Sequence, residues 1–234
     1  GRIVDVLASR GVRAEVVLDE GAPIVQGIVP SIAGPVAPIG IAEKGYLTLS
    51  LGVDLAGGHS STPARESAIT VLERAIARLL AAPLPARLDG PTLQFFEWAT
   101  PEMSLANRLV LANTWLTWPI VARLFARSPA LDASVRTTTA VTVLRAGVKD
   151  NVVPRTAEAL VNFRVVPGES TDSVIDHARR TIADARVVLR AEEASRHEPS
   201  RVSRADSRAF GAIATAVREV FPGTTVAPAL FLGG

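Results

Sequence analysis

A chain of 234 residues, 48% of them hydrophobic, can bury a substantial core and is not a disordered segment. Lys and Arg number 25 against 23 Asp and Glu, a formal net charge of +2, so there is no basic field for a nucleic-acid backbone to exploit. The pI of 9.6 is high only because, without cysteine and with one tyrosine, almost nothing titrates between histidine and lysine. The same lack of cysteine excludes a disulfide framework, a thiolate nucleophile and a sulfur metal site, so any metal chemistry rests on oxygen and nitrogen ligands.

The chain opens without methionine in a helix-like pattern of Ile3, Leu7 and Val12, which reads as an excised piece, and Val16-Val17-Leu18 follows as a short strand-like run. Leu47, Leu49, Leu51, Val53 and Leu55 then alternate with Thr48, Ser50, Gly52 and Asp54, the signature of a half-buried strand. After the loop Gly57-Gly58-His59-Ser60-Ser61, the sequence predicts an N-cap at Thr62 with Pro63 in the first turn. Ala68, Leu72, Ala75, Ile76, Leu79 and Leu80 continue that helix to about Pro83. Residues 84–138 read as a helical insertion, in which Leu105 to Phe125 has a helical apolar pattern broken at Pro119. Its longest apolar run, Leu109 to Ala122, is shorter than the roughly 20 residues a membrane span needs, and Asn113, Thr114 and Pro119 interrupt it.

Val141 to Gly147 and Ala157 to Val166 are predicted strands joined by a turn around Lys149-Asp150-Asn151, with Phe163 and Arg164 facing opposite sides of the second. Ser170 caps a helix through Val174, Ile175, Ala178 and Ile182, and residues 186–190 form a last short strand. The order β-α-β-β-α-β is that of the ferredoxin-like split βαβ arrangement, two helices on one face of a four-stranded antiparallel sheet. Beyond it, a helix over 205–221 and the run Ala229-Leu230-Phe231-Leu232, together with Val16–Leu18, predict parallel strands of a second, α/β domain.

Polar groups in apolar surroundings mark the candidate site. His59 stands on a strand-to-helix loop, where it is either a solvated loop histidine or a group placed to move a proton or polarise a carbonyl. Asn151 is a turn residue that tolerates left-handed backbone and also offers both an amide donor and an acceptor. Arg164 is either an edge-strand arginine with an acidic partner or a forked donor for a carboxylate. Asp19 and Glu20 follow a strand-like run, the usual crevice position for α/β sites, or form an ordinary polar turn. His177, beside Asp176, Arg179 and Arg180, reads as part of a solvated helix face, and His197 receives no role. Trp115, Leu116, Trp118, Ile120, Leu124 and Phe125 form a stripe that reads as core packing under the insertion or, where exposed, as a seat for a lipophilic acyl group or part of a dimer contact.

The ordered set Gly57-Gly58-His59, Asp150-Asn151-Val152-Val153-Pro154 and, thirteen residues beyond Asn151, Asn162-Phe163-Arg164 resembles the M20 metallopeptidases, in particular their carboxypeptidase S-like branch. Val17-Leu18-Asp19-Glu20-Gly21 and Ala42-Glu43-Lys44-Gly45-Tyr46-Leu47 extend the resemblance over nearly the whole chain. It implies a zinc-dependent hydrolase of peptides or N-acyl amino acids with two zinc ions, and a homodimer formed through a lid at residues 43–197. Residues 1–42 and 198–234 would be parts of the catalytic domain. It further implies that His59 reaches from the lid, typically of a partner subunit, to stabilise the oxyanion, that Asn151 and Arg164 bind substrate, and that Asp19 or Glu20 is a metal ligand. The other ligands of that family would precede residue 1 or follow Gly233-Gly234, so the isolated piece is expected to be inactive and to bind zinc weakly or not at all. The alternative from a different class is a non-catalytic dimerisation or small-molecule-binding module of ferredoxin-like fold.

Overall fold

The computed structural model describes residues 2–19, 21–27 and 32–233. Helix α1 (Arg2–Ser9) buries none of its residues, and residues 12–19 are irregular. The strand expected at Val16–Leu18 does not form: all three side chains are exposed, and among the described residues no strand pairs with them. Strand β1 (Val25–Gln26) pairs antiparallel with the start of β2 (Pro35–Glu43). The sequence reading missed β2, because Pro35, Pro38 and Gly40 disguise it. β1 flanks only Pro35 and Val36, so further along β2 is an edge on that side, where the absent N–H of Pro38 is tolerated.

Strand β3 (Gly45–Asp54) carries the alternating leucines, and a short β4 (Gly58–His59) follows. Helix α2 (Ala68–Ala81) starts later than expected. Its N-cap is Ser67, whose hydroxyl accepts from Thr70 N at 3.3 Å while the Thr70 hydroxyl accepts from Ser67 N at 2.9 Å. That reciprocal pair satisfies two backbone donors at the helix start, something Thr62 does not do; Thr62 instead closes a turn onto the His59 carbonyl.

The helical segment comprises α3 (Gly90–Ala99), a 3-10 turn (Thr100–Glu102), α4 (Leu105–Ala112), α5 (Thr114–Phe125) and α6 (Pro129–Val135). The break falls at Asn113 and not at Pro119. Asn113 leaves helical geometry (φ −117°, ψ 38°), its side-chain amide donates to Leu109 O, and Pro119 lies within α5. Phe96, Ala99, Met103, Val121, Phe125 and Val135 bury themselves together with Ile32 and Val36, so this segment shares a core with the β1–β2 region.

Strand β5 (Thr138–Ala146), the two-residue β6 (Val152–Val153) and β7 (Thr156–Val165) precede helix α7 (Thr171–Ile182), which Ser170 caps through a reciprocal pair with Ser173. The Glu198 carboxylate also accepts from Thr171 N, a negative group at the positive end of the helix. Strand β8 (Val187–His197) is longer than the expected 186–190. The four-stranded sheet has the order β5-β7-β3-β8, every neighbouring pair antiparallel. It is therefore the ferredoxin-like arrangement, with strands 2-3-1-4 of the βαββαβ unit side by side.

Helices α2 and α7 cover one face through Val71, Leu72, Ala75, Leu79, Val174, Ala178 and Ile182, against Leu47, Leu49, Leu51, Val161 and Phe163. Two contacts tie the ends of these helices together: Arg78 donates to Ile182 O at 2.7 Å, and His177 Nε2 donates to Ala82 O at 2.9 Å. His177 is thus half-buried and bonded, not part of a solvated face. Finally α8 (Arg208–Val220) precedes β9 (Thr225–Phe231), which runs parallel to β2; the expected parallel pairing is present, with β2 in the place assigned to Val16–Leu18.

Candidate active site

The two-stranded pairing of β4 with β6 sets His59 opposite Val152, and Ser60 N donates to Asn151 O at 3.2 Å. Two candidates separated by 92 residues in sequence therefore meet at one loop cluster. Both are exposed, as are Ser60, Ser61 and Asp150 around them. Gly57 is required here by close approach: a Cβ on it would come within 3.0 Å of Val153 O.

Arg164 is not part of that cluster. In the β3–β7 ladder Asp54 pairs with Thr156, at the His59 end, and Tyr46 pairs with Arg164 at the other. Eight residues of β7 separate Thr156 from Arg164, and at about 3.4 Å per residue this is about 27 Å, with His59 beyond the near end. A single chain cannot place His59 and Arg164 on one small substrate.

The surroundings of Arg164 are built from both sheets. Its guanidinium carbon stands 4.6 Å from the centroid of the Tyr46 ring, a cation–π contact. Gly233, just past β9, lies so close that a Cβ there would overlap the guanidinium, and its φ of +86° also favours glycine; the Glu43 carboxylate flanks the same point. Lys44, only 5% exposed, donates from Nζ to Ala133 O and Arg136 O, both at 2.9 Å, at the carbonyl end of α6. Burial, and then the neighbouring Arg164 charge, lower its pKa from 10.5 to about 8.

Tyr46, Lys44, Glu43 and Gly233 were not marked as site residues by the sequence. The outward phase of Tyr46 in the alternation was the available signal, but its register against Arg164 is a tertiary fact. Asp19 is exposed in the irregular segment, and Glu20 lies outside the described residues. Among the described residues no group of three or more His, Asp or Glu side chains could hold a metal ion.

The family model for the peptidase dimerisation domain of M20 matches residues 41–188. This chain is a member of the M20 peptidase family. It is 42% identical to probable carboxypeptidase S-like 2 of Dictyostelium discoideum over 93% of this chain and 42% of that protein. It is 39% identical to the N-fatty-acyl-amino acid synthase/hydrolase PM20D1 of Xenopus tropicalis over 99% of this chain and 45% of that protein. The chain thus spans less than half the length of these curated relatives. The crystal structure of the M20 family metallo-carboxypeptidase Sso-CP2 of Sulfolobus solfataricus has the same fold, with a TM-score of 0.60 at 19% identity over 98% of this chain and 61% of that one. The ferredoxin-like block, β3 to the start of β8, coincides with the matched dimerisation domain.

Proposed function

We propose that this chain is the lid, with adjoining catalytic-domain segments at 1–42 and 198–234, of a zinc-dependent homodimeric hydrolase acting on peptides or N-acyl amino acids. In this reading each active site uses Arg164 of one subunit with His59 and Asn151 of the other. The observation that carries it is the separation of His59 and Asn151 from Arg164 along β7, combined with membership of a family whose matched region is a dimerisation domain. A two-fold axis exchanges the two ends of a sheet, so each site receives both sets of groups only in the dimer.

Arg164, over the Tyr46 ring, offers two parallel N–H donors to the carboxylate of the amino acid being released. His59, exposed and reaching across the subunit boundary, donates a hydrogen bond to the carbonyl oxygen as negative charge develops on it. Asn151 orients the substrate amide with its donor and acceptor. In this reading most of the metal ligands come from parts of the protein outside these 234 residues, and the 234-residue chain alone is expected neither to turn over substrate nor to retain zinc.

The test is subunit complementation in the full-length enzyme. His59→Ala and Arg164→Ala are each nearly inactive as homodimers. Mixed, dissociated and reassociated, they form heterodimers with one intact site, recovering about a quarter of wild-type activity. No recovery would place His59 and Arg164 in the same subunit's site and overturn the reading. A protein that binds carboxylates through Arg164 but has no turnover for His59 to support would be a binding module.

A further inference from the structure

Helices α4 and α5 turn one face to the protein and the other to solvent. Val121 and Phe125 are buried and Trp118 half-buried in the core shared with Phe96 and Val36. At 100° per residue, Trp115, Leu116, Ile120 and Leu124 fall on the opposite arc. They are 81%, 65%, 63% and 53% exposed, and Leu105 and Leu109 of α4 add 72% and 58%. A water-facing helix surface ordinarily carries polar side chains, so a continuous apolar face of this kind marks an interaction site.

The charge pattern identifies the partner. From Met103 to Leu131 there is no aspartate or glutamate, whereas Arg108, Arg123 and Arg127 fall within this stretch. Arg108 is held by Met103 O and Pro101 O. Arg123 and Arg127 are exposed and form no ion pair among the described residues; Arg123 lies on the same arc as Leu116 and Ile120, and Arg127 follows in the turn just past the end of α5. Arginines set among apolar side chains keep their stems in an apolar layer while the guanidinium reaches its rim, and a tryptophan prefers the same boundary.

A second copy fits poorly. A two-fold contact centred on this face would bring Arg123 and Arg127 near their own counterparts, with no carboxylate between Met103 and Leu131 to meet them. The β1–β2 region already occupies the opposite face. No helix among the described residues is long and apolar enough to cross a membrane, so α4 and α5 would lie in the interfacial plane.

We propose that the exposed apolar face of α5, with the adjoining leucines of α4, is a docking surface for an anionic lipid surface. The headgroups neutralise Arg123 and Arg127, while Trp115, Leu116, Ile120 and Leu124 enter the boundary with the acyl chains. This goes beyond the proposed hydrolysis and does not depend on it.

Co-sedimentation with vesicles tests it, using equimolar phosphatidylcholine and phosphatidylserine beside phosphatidylcholine alone, with both the 234-residue chain and the full-length protein. Both are expected to pellet with the anionic vesicles and much less with the neutral ones, and high salt weakens the binding. The double variant Trp115→Ala, Ile120→Ser lowers the partition coefficient about tenfold or more. Arg123→Gln and Arg127→Gln each lower the anionic preference about fivefold. These positions are exposed, and circular dichroism verifies that the variants fold. Ile3→Ser in α1, whose side chain is 77% exposed, controls for adventitious stickiness and leaves binding unchanged. Three results overturn the proposal: vesicle binding that depends on Ile3 and not on Ile120; failure of the full-length protein to bind, which would mean other parts of the protein cover the face; or lipid-free self-association abolished by Ile120→Ser, which would assign the face to a second copy.

Discussion

Tyr46 and Arg164 are direct partners in the β3–β7 register, and the guanidinium lies over the tyrosine ring at 4.6 Å. The strand pairing thus holds in one orientation a fork that would otherwise sample many rotamers, and it does so beside Gly233, where a larger residue would displace it. On the proposed reading, Arg164→Lys in the full-length protein keeps the charge but loses the fork and its contact with Tyr46, and is expected to lower kcat/KM about 30-fold or more on substrates with a free carboxylate. Tyr46→Leu acts only by freeing the arginine and costs less, while Tyr46→Phe retains most activity. Kinetics on free-acid and amidated substrates check this: equal losses on both would remove Arg164 from carboxylate recognition.

Lys44 is a buried cation that joins the β2–β3 junction to the end of α6. Its folded pKa of about 8 lies below the unfolded value of 10.5, so between these the unfolded chain binds more protons and stability rises with pH. The contribution is fully present above the unfolded pKa and is lost as pH falls through the folded one, and amounts to at most about 3 kcal/mol. Denaturant unfolding of wild type and Lys44→Met at pH values across that window measures it. The wild type should gain stability relative to the variant with rising pH, and a constant difference would show that Lys44 keeps an ordinary pKa.

Gly45 follows Lys44 at the start of β3, where a Cβ would stand 2.6 Å from His197 O and 2.7 Å from Pro199 N. Both obstacles are backbone, so neither can swing away. Gly45→Ala is expected to destabilise by roughly 1–3 kcal/mol through the forced shift of β8 from β3. A thermal melt within a degree of wild type would show that the junction adapts.

The start of α2 gives a sharper comparison, because sequence and structure name different caps. Ser67→Ala should cost about 1 kcal/mol of stability, whereas Thr62→Ala should stay within a few tenths. Chemical denaturation of the two variants side by side decides the matter, and the reverse order would restore Thr62 as the cap.

The parts of this chain that could be read directly were those in which local periodicity and burial agree. Leu47, Leu49, Leu51 and Val53 are buried as their alternation requires, and Ser170 caps α7 as its position before an amphipathic run predicts. Elements held by distant partners were harder. β2, with two prolines, is a strand because β9 lies alongside it from nearly 200 residues away in sequence, whereas Val16–Leu18 has the composition of a strand and, among the described residues, no strand beside it.

By itself, the sequence determined the βαββαβ order, the two helices over the sheet and the identity of His59, Asn151 and Arg164 as candidates, because these rest on side-chain period, capping chemistry and motif. Only the tertiary structure decided that His59 and Asn151 share one end of the sheet while Arg164 takes the other. Only it turned an apolar stripe on α5 into one buried and one exposed face. The reason is physical: local sequence fixes which way a side chain alternates, but strand register and helix docking are set by contacts between residues far apart in the chain, and the direction in which a site opens follows from those contacts.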